Sequence, residues 1–267
     1  MKKLTVIIAA VTFPVLLSSC FKNPVTGRSS LNILPESEMR SMASQQYAGF
    51  IATNSPVQGT EDAATVKRVG QKMQAAVTQY LQSIGKAELI SGYQWEFNLV
   101  NENTANAWCM PGGKVVFHSG IMPLCANEAG VAVVMGHEIA HAVARHGNER
   151  MSQGLATELG GAALSVALSE KPEQTQQIFN TAYGAVANYG VILPFSRAHE
   201  SEADQMGLIF MAIAGYDPNE AIAFWQRMAA AGGAKPPVFM STHPSDKRRI
   251  NDIRGKIPEA MKYYKPN

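Results

Sequence analysis

The chain has 267 residues, 46% of them apolar and 16% charged, which suffices to bury one large core and excludes bulk disorder. Lys2 and Lys3 account for the formal net charge of +2, so the remainder is neutral and offers no basic patch for nucleic acid.

The first residues form a separate piece. Lys2 and Lys3 precede an apolar run from Leu4 to Leu17, the build of an export leader and too short for a comfortable membrane span. Leu17-Ser18-Ser19-Cys20 resembles a bacterial lipobox, which makes residues 1–19 a removable signal and Cys20 the lipidated first residue. The plain alternative is a cleaved signal with an incidental cysteine. Phe21 follows the cysteine where inner-membrane sorting uses Asp. The expectation is therefore a lipid-anchored protein of the bacterial cell envelope, facing the periplasm at the outer membrane. In that oxidising setting Cys109 and Cys125 either pair or remain two buried thiols.

Residues 20–34 read as a tether, with turn chemistry in Asn23-Pro24-Val25-Thr26-Gly27, and residues 35–267 as the folded domain. Helical spacing begins after Pro35 with Met39, Met42, Tyr47 and Phe50. A second amphipathic stripe runs through Val66, Val69, Met73, Val77, Tyr80 and Ile84. The period then changes to two, with Trp95, Phe97 and Leu99 alternating as a strand. Lys114 to His118 reads as another strand after the turn Pro111-Gly112-Gly113. Asn127 is the expected cap of an apolar helix through Val131, Val134 and Ala140. Residues 151–169, rich in small apolar side chains, fit a packed internal helix, a lid or a membrane-touching element. The sum is an α+β protein, mainly helical, with a small sheet.

The chemistry concentrates in Gly136-His137-Glu138-Ile139-Ala140-His141. Residues four apart share a helix face, so both imidazoles reach one ion. Zinc suits neutral imidazole and keeps one position for water in catalytic sites. Glu138, beside the first ligand, is placed to act as general base for that water. Chance placement gives on the order of 0.01 such matches in a chain of this composition. A catalytic zinc normally takes a third protein ligand, and the source is Arg197-Ala198-His199-Glu200-Ser201-Glu202-Ala203-Asp204. Glu200 and Asp204 share a face, with Glu200 as ligand and Asp204 orienting a ligand imidazole through its other nitrogen. His199 is a rival ligand about 100° away around the axis. Glu202 is expected to point away into solvent, and His118 and His146 receive no ligand role.

His137-Glu138-x-x-His141 followed by Glu200-x-x-x-Asp204 resembles the gluzincin metallopeptidase family of CaaX prenyl proteases, HtpX-type peptidases and BepA-like bacterial lipoproteins. Asn23-Pro24-Val25-Thr26-Gly27-Arg28, Asn106-Ala107 with Pro111-Gly112-Gly113, and Thr242-His243-Pro244 with Arg249-Ile250 resemble further parts of it. The resemblance implies a zincin-like fold with one zinc per chain and endopeptidase activity on unfolded or misassembled envelope proteins. It also implies that Lys114–His118 is an edge strand along which protein or peptide substrates lie extended. A histidine at the place of His243 is, by resemblance, a switch occupying the open zinc position. The residue itself also reads as a transition-state donor or as incidental. Arg249 is a second candidate donor. A reading from another class is a chaperone or assembly factor with a silent or structural zinc closed by His137, His141, Glu200 and His243.

Overall fold

Three strands form the small sheet. β3 (Glu96–Val100), β4 (Ala107–Met110) and β5 (Lys114–His118) lie in the order β3-β5-β4, with β3 parallel and β4 antiparallel to β5. The computed structural model describes residues 20–159, 196–231, 237–243 and 247–266. The expected leader at 1–19 and most of the stretch read as a possible lid or internal helix lie outside the described residues.

Alternation in the strands explains how two cores fit around one sheet. Val115, Phe117 and Cys109 face one side, and Val116, Trp108 and Met110 face the other. α1 (Glu36–Thr53) covers the second side with Met39, Ala43, Tyr47 and Phe50, and Glu36 and Glu38 sit in its first turn, where negative charge suits the helix dipole. α2 (Glu61–Ser83) covers the first side with Val66, Val69, Met73, Val77 and Tyr80. Thr60 caps α2 by accepting from the Ala63 amide, a bond of about 1 kcal/mol. All five residues of β5 are buried, as a central strand requires, so the expectation that Lys114–His118 is an edge strand is corrected. The run of Val115, Val116 and Phe117 already had the continuous apolar character of a strand covered on both faces.

After a short helix α3 (Met122–Cys125) comes α4 (Glu128–Val143), capped by Asn127 accepting from the Gly130 amide. Every residue of α4 from Gly130 to Val143 is buried. Among the described residues the helices that follow are α5 (His146–Leu159), α6 (Arg197–Ile213), α7 (Glu220–Ala230) and α8 (Val238–Thr242). α9 (Lys247–Ala260) packs back on α6 and α7. Among the described residues no single helix is long and apolar enough to cross a membrane.

The segment expected as a tether packs against this body. β1 (Cys20–Lys22) and β2 (Ser29–Leu31) pair antiparallel, and Asn23, Ser30 and Asn32 are buried. Asn23 Oδ1 accepts from the amides of Val25 and Thr26, closing an Asx turn, and Gly27 supplies the φ of +72° that the turn needs. Cys109 and Cys125 are both free and buried, so of the two readings the paired one is not what the fold contains. Burial pushes the Cys125 thiol up to about 12.

Candidate metal centre

α4 and α6 cross at two glycines. A Cβ on Gly136 would lie 2.9 Å from the Gly207 carbonyl oxygen, and one on Gly207 would lie 2.9 Å from the His137 nitrogen. Backbone contact at this crossing brings side chains within about a turn and a half of Gly136 on α4, and two turns before Gly207 on α6, to a common point. Those side chains are His137 and His141 from α4 and Glu200 from α6, joined by His243 just after α8.

The four donors converge with short separations. His137 Nε2 lies 3.0 Å from His141 Nε2 and 3.1 Å from His243 Nδ1. Glu200 Oε1 lies 2.9 Å from His243 Nδ1 and 3.3 Å from His141 Nε2, and Glu200 Oε2 lies 3.4 Å from His137 Nε2. Tetrahedral zinc with ligands near 2.0 Å has donor–donor edges of about 3.3 Å, close to these separations, and one donor atom from each of the four residues lies within 4.8 Å of the others. The hydrogen bonds behind it agree. His137 Nδ1 lies 3.0 Å from Asp204 Oδ1 and so carries a proton, which leaves Nε2 as the nitrogen turned to the centre. Lone pairs and a carboxylate aimed at one point repel unless a cation lies among them. Zinc is the cofactor that this donor set fits.

Electrostatics favour the ligand forms of His141 and Glu200. Burial pushes His141 well below its ordinary value, which keeps it a neutral imidazole. Burial opposes ionisation of Glu200, but the charges of His243, Arg249 and His137 outweigh it and hold the carboxyl well below the usual range. Glu138 is buried, and that burial raises its pKa. Its Oε1 has no hydrogen bond and stands 3.3 Å from His243 Nε2.

Arg249 stands behind the donor cluster. Its Nη1 lies 2.7 Å from Glu200 Oε2, its Nη2 2.7 Å from Asp204 Oδ1 and its Nε 3.0 Å from Asp204 Oδ2. The guanidinium also stacks 3.7 Å over Trp225. These commitments leave Arg249 holding two carboxylates in place, a different task from the donor expected for it.

Residues 68–257 match the profile of Peptidase family M48. The chain belongs to peptidase family M48. It is 40% identical over 189 residues to the mitochondrial metalloendopeptidase OMA1 of Schizosaccharomyces pombe, covering 69% of this chain and 53% of that protein. The Saccharomyces cerevisiae OMA1 is 38% identical over 190 residues, covering 66% of this chain and 51% of that protein. The beta-barrel assembly-enhancing protease of Escherichia coli is 30% identical over 190 residues, covering 67% of this chain and 39% of that protein. The chain thus spans about half the length, or less, of the curated relatives it matches. The expected fold and family hold. The expected placement in a bacterial envelope at the outer membrane, with action on misassembled envelope proteins, is overturned, because the M48 relatives of highest identity here are mitochondrial enzymes. Lipid attachment at Cys20 was part of that placement and gains no support from them.

Glu202, His146, His199 and Arg28 take places around the donor cluster that the sequence did not announce. Glu202, expected in solvent, is buried and accepts from Arg28, Thr26 and His146. His146 has its Nδ1 2.9 Å from His141 Nδ1. His199, the rival ligand, is instead paired with Glu149 at 2.9 Å. The only sequence signal for Arg28 was its place in the Asn23–Arg28 motif, and nothing in the spacing linked it to residues on α5 and α6.

Proposed function

We propose that this chain is a zinc-dependent endopeptidase in which His137, His141 and Glu200 hold the metal and Glu138 is the general base. One observation carries the reading: an acid with a buried oxygen lacking a hydrogen bond stands beside the donor cluster without ligating it. A purely structural zinc gives such an acid no task.

When bound, zinc polarises a scissile carbonyl and acidifies the water that attacks it. Glu138 takes the proton released in that attack and delivers it to the leaving amine nitrogen. Asp204 fixes the His137 tautomer, and Arg249 holds Asp204 and Glu200. His243 stands with the three proposed ligands and would take the fourth position around a zinc held there, in which case substrate cleavage would need it to move aside.

A protein substrate lies extended along β4, the sheet edge next to α4, in place of the β5 strand first expected. The His118 amide donates to the Asn106 carbonyl, so the antiparallel alternation assigns Trp108 and Met110 to the ladder with β5. Ala107 and Cys109 then present their main-chain groups to the outer side.

The test is cleavage of casein by wild type, Glu138→Gln and His243→Ala, with zinc content measured in each. Glu138→Gln is expected to retain zinc and lose cleavage by at least about 100-fold. Wild-type cleavage by Glu138→Gln removes the catalytic assignment. His243→Ala is expected to cleave as fast as wild type or faster, and its inactivity with zinc bound makes His243 a participant in the reaction.

A further inference from the structure

His141 receives its support from two side chains that are not in the donor set, His146 on α5 and Glu202 on α6. Glu202 is an acceptor, so His146 Nε2, 3.0 Å from Glu202 Oε2, carries the proton. The other nitrogen of a neutral His146 is then a lone pair, and it faces His141 Nδ1 at 2.9 Å. His141 Nδ1 therefore donates, which turns the lone pair of His141 Nε2 toward the cluster. One hydrogen-bond chain thus sets the tautomer of a ligand.

The far end of that chain is Arg28, forty residues before the start of the family match at residue 68. Arg28 Nε donates to Glu202 Oε2 at 2.9 Å, while Nη1 and Nη2 donate to the two oxygens of Glu149 at 2.8 and 2.7 Å. The Thr26 hydroxyl donates to the other Glu202 oxygen. Glu149 in turn holds His199, whose ring stacks on His146 at 4.5 Å between centroids. The guanidinium therefore fixes the acceptor below His146 and, through Glu149, the ring packed against its face. The Asx turn at Asn23 and the β1–β2 pairing hold Arg28 at this place.

We propose that Arg28 is a positioning residue of the metal centre, acting through Glu202 and His146 to orient the ligand His141. The proposal rests on His141 being a zinc ligand. The amino-terminal hairpin is then part of the site's supporting structure and contributes to metal affinity without touching the metal.

Zinc affinity measured by competition with a chromogenic chelator tests this on the full chain. The set is wild type, Arg28→Ala, Arg28→Lys, His146→Ala, the Arg28→Ala/His146→Ala double variant and Arg68→Ala as a remote control. Partners that orient ligands are worth about 10- to 100-fold in metal affinity, so Arg28→Ala is expected to bind zinc about tenfold more weakly. Arg28→Lys is expected to recover part of that loss, and Arg68→Ala to match wild type. The double variant is expected to be no weaker than His146→Ala alone, because both act on one chain. A folded Arg28→Ala within twofold of wild type, or fully additive losses in the double variant, overturns the proposal. Should Arg28→Ala fail to fold, Glu202→Gln carries the same expectation, and unchanged affinity there overturns it equally. Wild type that binds no zinc brings down the metal reading itself, an outcome distinct from normal wild-type binding with unaffected variants.

Discussion

Gly136 and Gly207 face each other where α4 crosses α6, and neither position has room for a methyl group: the added carbon would come within 2.9 Å of the opposing backbone. That contact sets the distance between His137, the next residue on α4, and Glu200, two turns earlier on α6. Gly207→Ala is therefore expected to push the helices apart. The cost should be about 1–3 kcal/mol of stability, the usual range for an overpacked core, together with weaker zinc binding. Chemical denaturation of the metal-free protein and a zinc titration check the two effects separately. Wild-type behaviour in both shows that the crossing is loose.

Asp204 is expected to matter for the metal more than for the fold. Its Oδ1 lies 3.0 Å from His137 Nδ1, and Arg249 binds both of its oxygens. Asp204→Asn keeps the shape, weakens the acceptor and leaves Arg249 with one fewer carboxylate. Zinc affinity should fall about 10- to 100-fold, with little change in helix content by circular dichroism. Affinity equal to wild type removes Asp204 from the orienting role.

Metal removal should load a proton onto the site. Burial alone disfavours a charged His137, but the Glu200 and Asp204 carboxylates outweigh it and raise its pKa to about 9. In the metal-free protein at neutral pH, His137 therefore holds a proton that zinc must displace. Isothermal titration in buffers of different ionisation enthalpy should report release of about one proton per zinc, and affinity should rise with pH up to about 9. Absence of proton release means that His137 is already neutral.

The Arg28 cluster should make the metal-free protein acid-sensitive. Burial by itself would raise Glu149 and Glu202, but hydrogen bonds from Arg28 and from His199 and His146 hold each at about 2, against an ordinary value of 4.5. Between those values the unfolded chain binds more protons than the folded one, so stability is complete above about 4.5 and declines as pH falls toward about 2. Urea midpoints measured from pH 5 to 3 should drop, and less steeply in Arg28→Ala. Equal slopes in the two proteins separate Arg28 from the acid response. Because Arg28 is partly exposed, added salt should shrink the difference.

The sequence by itself determined the main helices, two of the strands and the spacing of the candidate donors. His137, Glu138 and His141 are linked by helical spacing, as are Glu200 and Asp204, and spacing within one helix is fixed by the backbone whatever surrounds it. The Asn127 cap and the strand Lys114–His118 were legible for the same reason, since both are local. Only the tertiary structure decided that Lys114–His118 is the central strand, because strand order depends on which chains pair and not on the pattern within one. It also decided that Glu202 is buried, that Cys109 and Cys125 stay apart, and that Arg249 holds carboxylates. Arg28 shows the reason most directly. It lies 121 residues from Glu149 and 174 from Glu202, and no periodicity reaches across such distances.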